Sequence, residues 1–433
     1  MLASYESLEL LLAKNPAPSL FAYGSNSPLK DVIETSIDKK YRIEISNLET
    51  FYPYMNDKEI IENTSILEKF STLNVKTLFL SNVTSDSLIK TAEQYDIKVI
   101  TVDSGLQDKF EDKIFFHNLL EANDIAVPKG KVCNTISDVK KDFKFPYVVQ
   151  DPSSYGSLGT YIIKTENDLT RIPLQCPDTG WLVREYIDGL AYGVTFLIGK
   201  SNALVSQIRL QCSLNEYFDR GGGFFFGIQW INFNSLSLEL IKNLESTFQK
   251  LIAVMQQANF TGIANVDFMI SGSDVYVIEC NPRLSGATWH LANRPELLHG
   301  KDFVQEYINV CLHGEVSENI LTLPKSNYEG CTLDADSLEL NFPVRNPKRV
   351  SIANAGVYNL DSDRLIKCSS NTKNWKENTY FCLPGCPTGQ VLSSEKGIGV
   401  LLSHEPFYQY DNNTVFLNEF GKTMWQTIAG IFL

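Results

Sequence analysis

The residues best suited to chemistry in this 433-residue chain lie between Gly262 and Gly286, where Asp267, Glu279, Asn281 and Arg283 fall in one short stretch. Ala264–Ile270 and Val275–Cys280 have the composition of two antiparallel strands, with Ser271-Gly-Ser-Asp274 as the turn between them. A turn centred on Ser273 sets Asp267 opposite Glu279, with Cβ atoms about 5 Å apart. Two carboxylates that close repel unless something offsets them. A divalent cation does so, and Asn281, two residues beyond Glu279, shares its face and adds a neutral oxygen. Three oxygen donors without His or Cys suit a hard ion, Mg²⁺ or Mn²⁺, that keeps positions for water and phosphate. The alternative is a surface hairpin whose acids are simply solvated. Arg283 follows Pro282 and offers a planar fork for phosphate or carboxylate, or else is an ordinary surface arginine.

Other elements must bring a ligand to that hairpin. Tyr147–Gln150 reads as an apolar strand, and Ser153, Ser154, Gly156, Ser157 and Gly159 follow in a loop rich in unpaired backbone N–H groups. Such a loop closes over phosphates, or is a surface hairpin with no ligand. A single amphipathic helix is expected from Asp112, ending before Pro128, and a second from Ser237 to Asn259. Trp181–Gly189 reads as a strand running into a turn, and Tyr192–Ile198 as another strand. From Leu20 to Asp103, strands expected at 19–23, 41–46, 77–80 and 98–102 alternate with helices at 29–35, 58–73 and 85–95. That alternation implies a parallel, Rossmann-like sheet. Gly24 alone follows the first strand, so no dinucleotide is assigned there. Beyond Val316 short β-runs among Gly, Pro and Asn predict a small β-rich C-terminal domain.

Composition narrows the partners. With 38 basic and 51 acidic side chains the net charge is −13. No block of Lys or Arg stands against it, which argues against nucleic acid or an anionic membrane surface. No apolar run reaches the roughly 18 residues of a membrane span, and the first residues do not read as a signal peptide, so a cytoplasmic location is expected. Nine scattered cysteines suggest reduced thiols, with Cys382 and Cys386 more readily a turn than half of a metal site.

Asp112-Lys113 opening a helix that leads to Ile-Ala-Val-Pro128, a strand with a Gly/Ser loop, Val-Arg-Glu185-Tyr186-Ile187-Asp188-Gly, and then Asp267 and Glu279-Cys-Asn281-Pro-Arg283 together resemble the ATP-grasp superfamily across about residues 105–315. The resemblance implies an ATP-grasp fold of mixed α+β and α/β class, divided into a pre-ATP-grasp domain (1–108), an ATP-grasp domain (109–315, with lobes at 109–190 and 191–315) and the β-rich C-terminal domain (316–433). It implies ATP as cofactor, with Lys113 on the phosphates, the Ser153–Gly159 loop over them, the Glu185–Ile187 backbone at the adenine edge, and Asp188 as the acid nearest the ribose. Asp267, Glu279 and Asn281 would hold Mg²⁺, and Arg283 would steady the transferred phosphoryl group. Two departures stand out: Gln150 occupies the place of a second phosphate-binding lysine, and Ala191 lies where a ribose-binding carboxylate is common. For the acceptor side, Arg209, Arg220 and Arg294 are candidates for a carboxylate, and Ser285-Gly286 for an anion at a helix start. The expected activity is ADP-forming ligation of a small-molecule carboxylate to an amine, with a homodimer left open. A non-ligating nucleotide-binding protein and a ligase acting on a peptide or protein carboxylate are the other readings.

Overall fold

The computed structural model describes residues 86–334 and 355–432, apart from 136, 140–142, 155–158, 174, 214–224, 362–363, 372–373, 385–398 and 412–413, and before them 21–24, 30–36, 39, 42–45, 64–72 and 74–79. At the N-terminal end β1 (Phe21–Gly24) pairs parallel with β2 (Arg42–Ile45), and β3 (Thr77–Phe79) pairs parallel with β4 (Lys98–Ile100). Helices Lys30–Ser36, Thr64–Thr72 and Asp86–Glu93 alternate with them, as the sequence pattern predicts. Among the described residues the two parallel pairs are not joined into one sheet.

The helix expected from Asp112 is preceded by another, Ser104–Glu111. Asp112 ends the first and caps the second, Lys113–Glu121, its carboxylate accepting from Phe115 N at 2.7 Å. An extended residue between two helices exposes the orphan N–H groups of the second, and an Asp side chain satisfies one of them. That cap places Lys113 at the first helical position. The small lobe then forms an antiparallel sheet in the order β5-β8-β6-β7, from β5 (Gly130–Cys133), β6 (Tyr147–Gln150), β7 (Thr160–Ile163) and β8 (Trp181–Glu185). Its inner face buries Val149, Ile163, Trp181 and Val183 in a core of its own.

The large lobe is built on β9 (Leu190–Ile198), β10 (Ala203–Val205), β11 (Arg209–Ser213), β12 (Phe225–Trp230), β13 (Gly262–Ser271) and β14 (Asp274–Asn281). Helix Leu238–Gln257 covers this sheet with Leu244, Phe248, Leu251, Ile252 and Met255, an apolar stripe at helical spacing. Phe248 meets Phe196 and Phe268 edge-on at 5.3 and 5.4 Å. Burying each such side chain contributes about 1.5–3 kcal/mol, so this face fixes β13 and β9 beneath the site.

The C-terminal strands do not form a separate sheet. β15 (Cys331–Asp334) pairs with β12, and β16 (Gly356–Asp361), β17 (Arg364–Ser369), β18 (Tyr380–Pro384) and β19 (Gly399–Ser403) continue the large-lobe sheet, while β20 (Tyr408–Asp411) and β21 (Thr414–Leu417) form a hairpin of their own. A closing helix, Glu419–Phe432, escapes the sequence pattern because glycines at 421 and 430 weaken its helical signal. Gly421 has a packing reason, since a Cβ there would lie 2.2 Å from the Phe407 carbonyl oxygen. Cys386 and residues 349–352, one of the short β-runs beyond Val316, lie outside the described residues, and no disulfide joins the described cysteines. Among the described residues no helix is long and apolar enough to cross a membrane.

Candidate functional site

The hairpin pairs Asp267 with Glu279 as expected, but by a different route. Its loop has two residues, Gly272 and Ser273, with the positive φ of 63° on the glycine, the pattern of a hairpin turn with glycine first. That turn pairs Phe268 with Val277, and alone it would set Asp267 against Ile278. A bulge between Asp267 and Phe268 moves the register by one and restores Asp267 opposite Glu279 and Asn265 opposite Asn281. Bulges re-aim side chains beside functional sites, and this one frees the Ile278 carbonyl to accept from Arg184 Nη1 at 3.0 Å.

Asn281 Nδ2 lies 3.5 Å from an Asp267 oxygen and 3.4 Å from a Glu279 oxygen, so the three expected ligands are neighbours, with the amide nitrogen toward the acids and its oxygen toward Arg283. The two acids differ in environment. Burial and the facing Glu279 push the Asp267 carboxyl up to about 7, against Arg209 and a hydrogen bond from Gln211. Burial acts on Glu279 in the same sense, but Lys113, Asn281 and Arg184 outweigh it and hold Glu279 below the usual carboxylate range. Among the described residues no three His, Cys, Asp or Glu side chains cluster as a metal site, so the donor set is two carboxylates and an amide. Oxygen donors of this kind fit Mg²⁺.

Lys113 is buried, with Nζ 3.4 Å from Glu279 and hydrogen-bonded to the Ser154 carbonyl, so the helix start is tied both to the acids and to the loop. Ser153 and Ser154 turn on Asp151, and Asp151 N bonds the Gly159 carbonyl at 2.9 Å to close the loop base. Gly156 and Ser157 lie outside the described residues. Gln150 is buried, donating to Thr160 Oγ1 at 3.1 Å and accepting from Arg184 Nη2. Arg184 was not singled out by sequence. In a strand it reads as one polar residue before the hinge, and only the pairing of β8 beside β6 reveals its place. Burial lowers its guanidinium to about 10, with Glu279 opposing, so it stays charged at neutral pH.

Glu185, Tyr186, Ile187 and Asp188 form the hinge between β8 and β9, where Glu185 Oε1 takes the Lys129 N–H at 2.9 Å and the Asp188 carbonyl takes Ser271 Oγ at 2.7 Å. Gly189 closes it: a Cβ there would stand 2.1 Å from the Ile270 carbonyl oxygen. Gly189→Ala should therefore displace the hinge and lower nucleotide affinity with little change in secondary structure, checked by calorimetric titration and circular dichroism; unchanged affinity would remove the hinge from the site.

One cavity of about 590 Å³ connects these parts. Its walls include Lys113, Gln150, Ser154, Lys164 and Arg184, the hinge from Glu185 to Ala191, and Asp267 and Glu279, with Gln211, Ser213, Thr414 and Val415 at another side. Apolar Val148, Ile162, Leu190, Phe268 and Ile278 complete it, a lining suited to a flat ring. Three basic side chains face four acidic ones across the walls, Lys113, Lys164 and Arg184 against Glu185, Asp188, Asp267 and Glu279.

The remaining candidates sit elsewhere. Arg283 stands off the cavity wall, its Nε on Glu111 at 3.1 Å and its Nη2 on Asn281 Oδ1 at 3.2 Å. It thus orients a candidate metal ligand. Arg209 is buried beneath the hairpin, bonded to Thr195 and Asn265 at 3.1 and 3.0 Å. Ser285 Oγ reaches the same Asn265 oxygen at 3.2 Å, and Gly286 precedes a helix, Thr288–Asn293, of only six residues with no side-chain cap. The anion site expected at Ser285-Gly286 is therefore not formed in this arrangement. Arg294 turns away to His404 Nδ1 at 3.0 Å and over the Tyr328 ring, and Arg220 lies outside the described residues. Arg294 is occupied by that cluster because β19 leads directly to His404 beside it.

Residues 110–287 match the family model of the ATP-grasp domain. A stretch of 209 residues, 47% of this chain, is 23% identical to the carbamoyl phosphate synthase arginine-specific large chain of Geobacillus stearothermophilus, and covers 19% of that relative's length. The chain thus spans about a fifth of this curated relative. Among solved structures it is similar to the biotin carboxylase domain of Hydrogenobacter thermophilus 2-oxoglutarate carboxylase in complex with MgADP, ADP and bicarbonate (TM-score 0.62, 13% identity, covering 89% of this chain and 81% of that one). It is also similar to an L-amino acid ligase from Bacillus licheniformis (TM-score 0.58, 12% identity, 100% and 96%) and to N5-carboxyaminoimidazole ribonucleotide synthetase from Thermus thermophilus (0.55, 9%, 99% and 96%). At these identities the likeness is one of fold.

Proposed function

We propose that the ATP-grasp domain at residues 110–287 makes this chain an ATP-dependent, ADP-forming ligase that joins a small carboxylic acid to an amine. The observation that carries this reading is one cavity lined by Lys113, Asp267, Glu279 and the Glu185–Asp188 hinge, with Asn281 adjoining both acids. Fold neighbours that are an amino acid ligase and an N5-carboxyaminoimidazole ribonucleotide synthetase support it.

In this reading the hinge backbone and the apolar wall hold adenine, and Lys113 with the Ser153–Gly159 loop holds the phosphates. Asp267, Glu279 and Asn281 would hold Mg²⁺, which would supply charge neutralisation at the transferred phosphoryl group. Arg283 Nη2 engages the Asn281 oxygen, so that oxygen would have to turn from Arg283 to the acids to reach the ion. The acceptor acid's oxygen attacks the γ-phosphorus as the bond to ADP breaks. The amine nitrogen then attacks the acyl carbon, phosphate leaves, and the nitrogen gives its proton to solvent. Such transfer needs positioning and electrostatics more than a covalent group from the protein. The cavity wall that includes Gln211, Ser213, Thr414 and Val415 would take the acid.

A screen of amino acids and related acids, singly and in pairs, tests the reading. ADP and phosphate are expected in quantity only with a matched acid and amine, because the acyl phosphate otherwise has no productive exit. AMP and pyrophosphate as products would overturn the mechanism, and nucleotide binding without turnover on any pair would favour a non-ligating protein.

A further inference from the structure

Gln150 stands where a second phosphate-binding cation was expected, and its surroundings say what replaces that cation. Arg184, on the neighbouring strand β8, is 3% exposed and lines the cavity, as does Gln150 at 4%. An arginine has donors only, so the Gln150 oxygen must face it and the amide nitrogen must face away. The contacts agree: Oε1 accepts from Arg184 Nη2, and Nε2 donates to Thr160 Oγ1 at 3.1 Å. Thr160 uses one of the two amide hydrogens. The second belongs to a side chain that lines the cavity, on an amide polarised by the adjoining guanidinium. Arg184 is itself fixed by its second bond, from Nη1 to the bulge carbonyl of Ile278 at 3.0 Å. Lys113, 3.4 Å from Glu279, and Lys164 also line the cavity, so Arg184 adds a third positive group to its wall.

We propose that Arg184 and Gln150 form a coupled anchor for a nucleoside polyphosphate, Arg184 supplying the charge and Gln150 the directed N–H. The proposal rests on the nucleotide reading of the cavity and adds to it a pair of binding residues. It makes Gln150 a working ligand, and the pair a two-residue equivalent of one lysine.

Gln150→Glu separates this role from a structural one. The new carboxylate keeps and strengthens the bond to Arg184 but removes the outward donor and adds a negative charge. Wild type, Gln150→Glu and Arg184→Met are titrated calorimetrically with a non-hydrolysable ATP analogue plus Mg²⁺ and, separately, with adenosine. In Gln150→Glu the melting temperature should hold or rise while analogue affinity falls by roughly 10- to 100-fold, the effect of a charge-assisted hydrogen bond. Adenosine affinity should stay within about twofold, since the hinge and apolar wall are untouched. Arg184→Met should show the same selective loss; if it fails to fold, Gln150→Glu still decides. Wild-type analogue affinity in Gln150→Glu, or equal losses for analogue and adenosine, would overturn the anchor alone. Absence of binding by wild type to both ligands would overturn the nucleotide reading and the anchor with it.

Discussion

Glu279→Gln is expected to lower turnover by about a thousandfold or more at saturating ATP and Mg²⁺. A divalent ion at the transferred phosphoryl group is worth several kcal/mol in the transition state, and each 1.4 kcal/mol is about tenfold in rate. A neutral amide keeps the shape of Glu279 but binds a hard cation far less well. Stability should move in a definite direction too. The like-charge facing pair alone suggests that neutralising either acid would relieve the fold, yet the strain is not shared equally. Lys113 lies 3.4 Å from Glu279, and Arg184 and Asn281 also favour its charged form, so its carboxyl sits below the ordinary range. A depressed carboxylate contributes stability above its unfolded value and loses it as pH falls through its folded value. At neutral pH the Gln variant should therefore melt slightly below wild type, with unchanged circular dichroism. Phosphate release and thermal melting check both parts. Retained turnover at saturating Mg²⁺ would take Glu279 out of the metal site, and a raised melting temperature would contradict the electrostatic division between the two acids.

That division marks how far the sequence could be read. The pairing of Asp267 with Glu279 was accessible because strand alternation and a short polar turn carry it, even though the actual turn is displaced and the bulge at Asp267/Phe268 supplies the correction. Local periodicity likewise carried the helix at 238–257 and the strands at 147–150 and 181–185. Contacts between distant strands have no such local sign. Arg184 meets Gln150 across 34 positions and Ile278 across 94, so neither its anchoring nor its charge on Glu279 follows from its neighbours in sequence. For the same reason Arg209 and Arg294 read as available cations, when Asn265 and His404, each remote in the chain, already engage them. The C-terminal strands read as a domain because their composition changes. Their edge pairing to β12 is a long-range hydrogen-bond choice that composition does not encode.

Asp267→Asn should separate stability from activity in the opposite sense to Glu279→Gln. Burial and the charge of Glu279 raise the Asp267 carboxyl from its ordinary 3.8 to about 7 in the fold. Between those values the folded chain holds a proton that the unfolded chain has released, so stability falls as pH rises. The contribution is complete below about pH 4 and gone once pH passes about 7. Asparagine has no proton to lose. Without Mg²⁺, the variant should thus melt nearest wild type at about pH 4 and increasingly above it toward pH 8, the gap opening through that window. Mg²⁺ reverses the order, because a bound cation favours the Asp267 charge that the metal-free site resists, and the amide offers it a weaker ligand. Turnover should fall to a level comparable with Glu279→Gln. The same linkage requires that Mg²⁺ binding to wild type release a proton at pH 6 and almost none at pH 8, measurable by calorimetry in buffers of different ionisation enthalpy. A variant less stable than wild type at pH 8 without Mg²⁺, or proton release independent of pH, would show that Asp267 is already ionised in the metal-free fold and that the two acids share their charge in some other way.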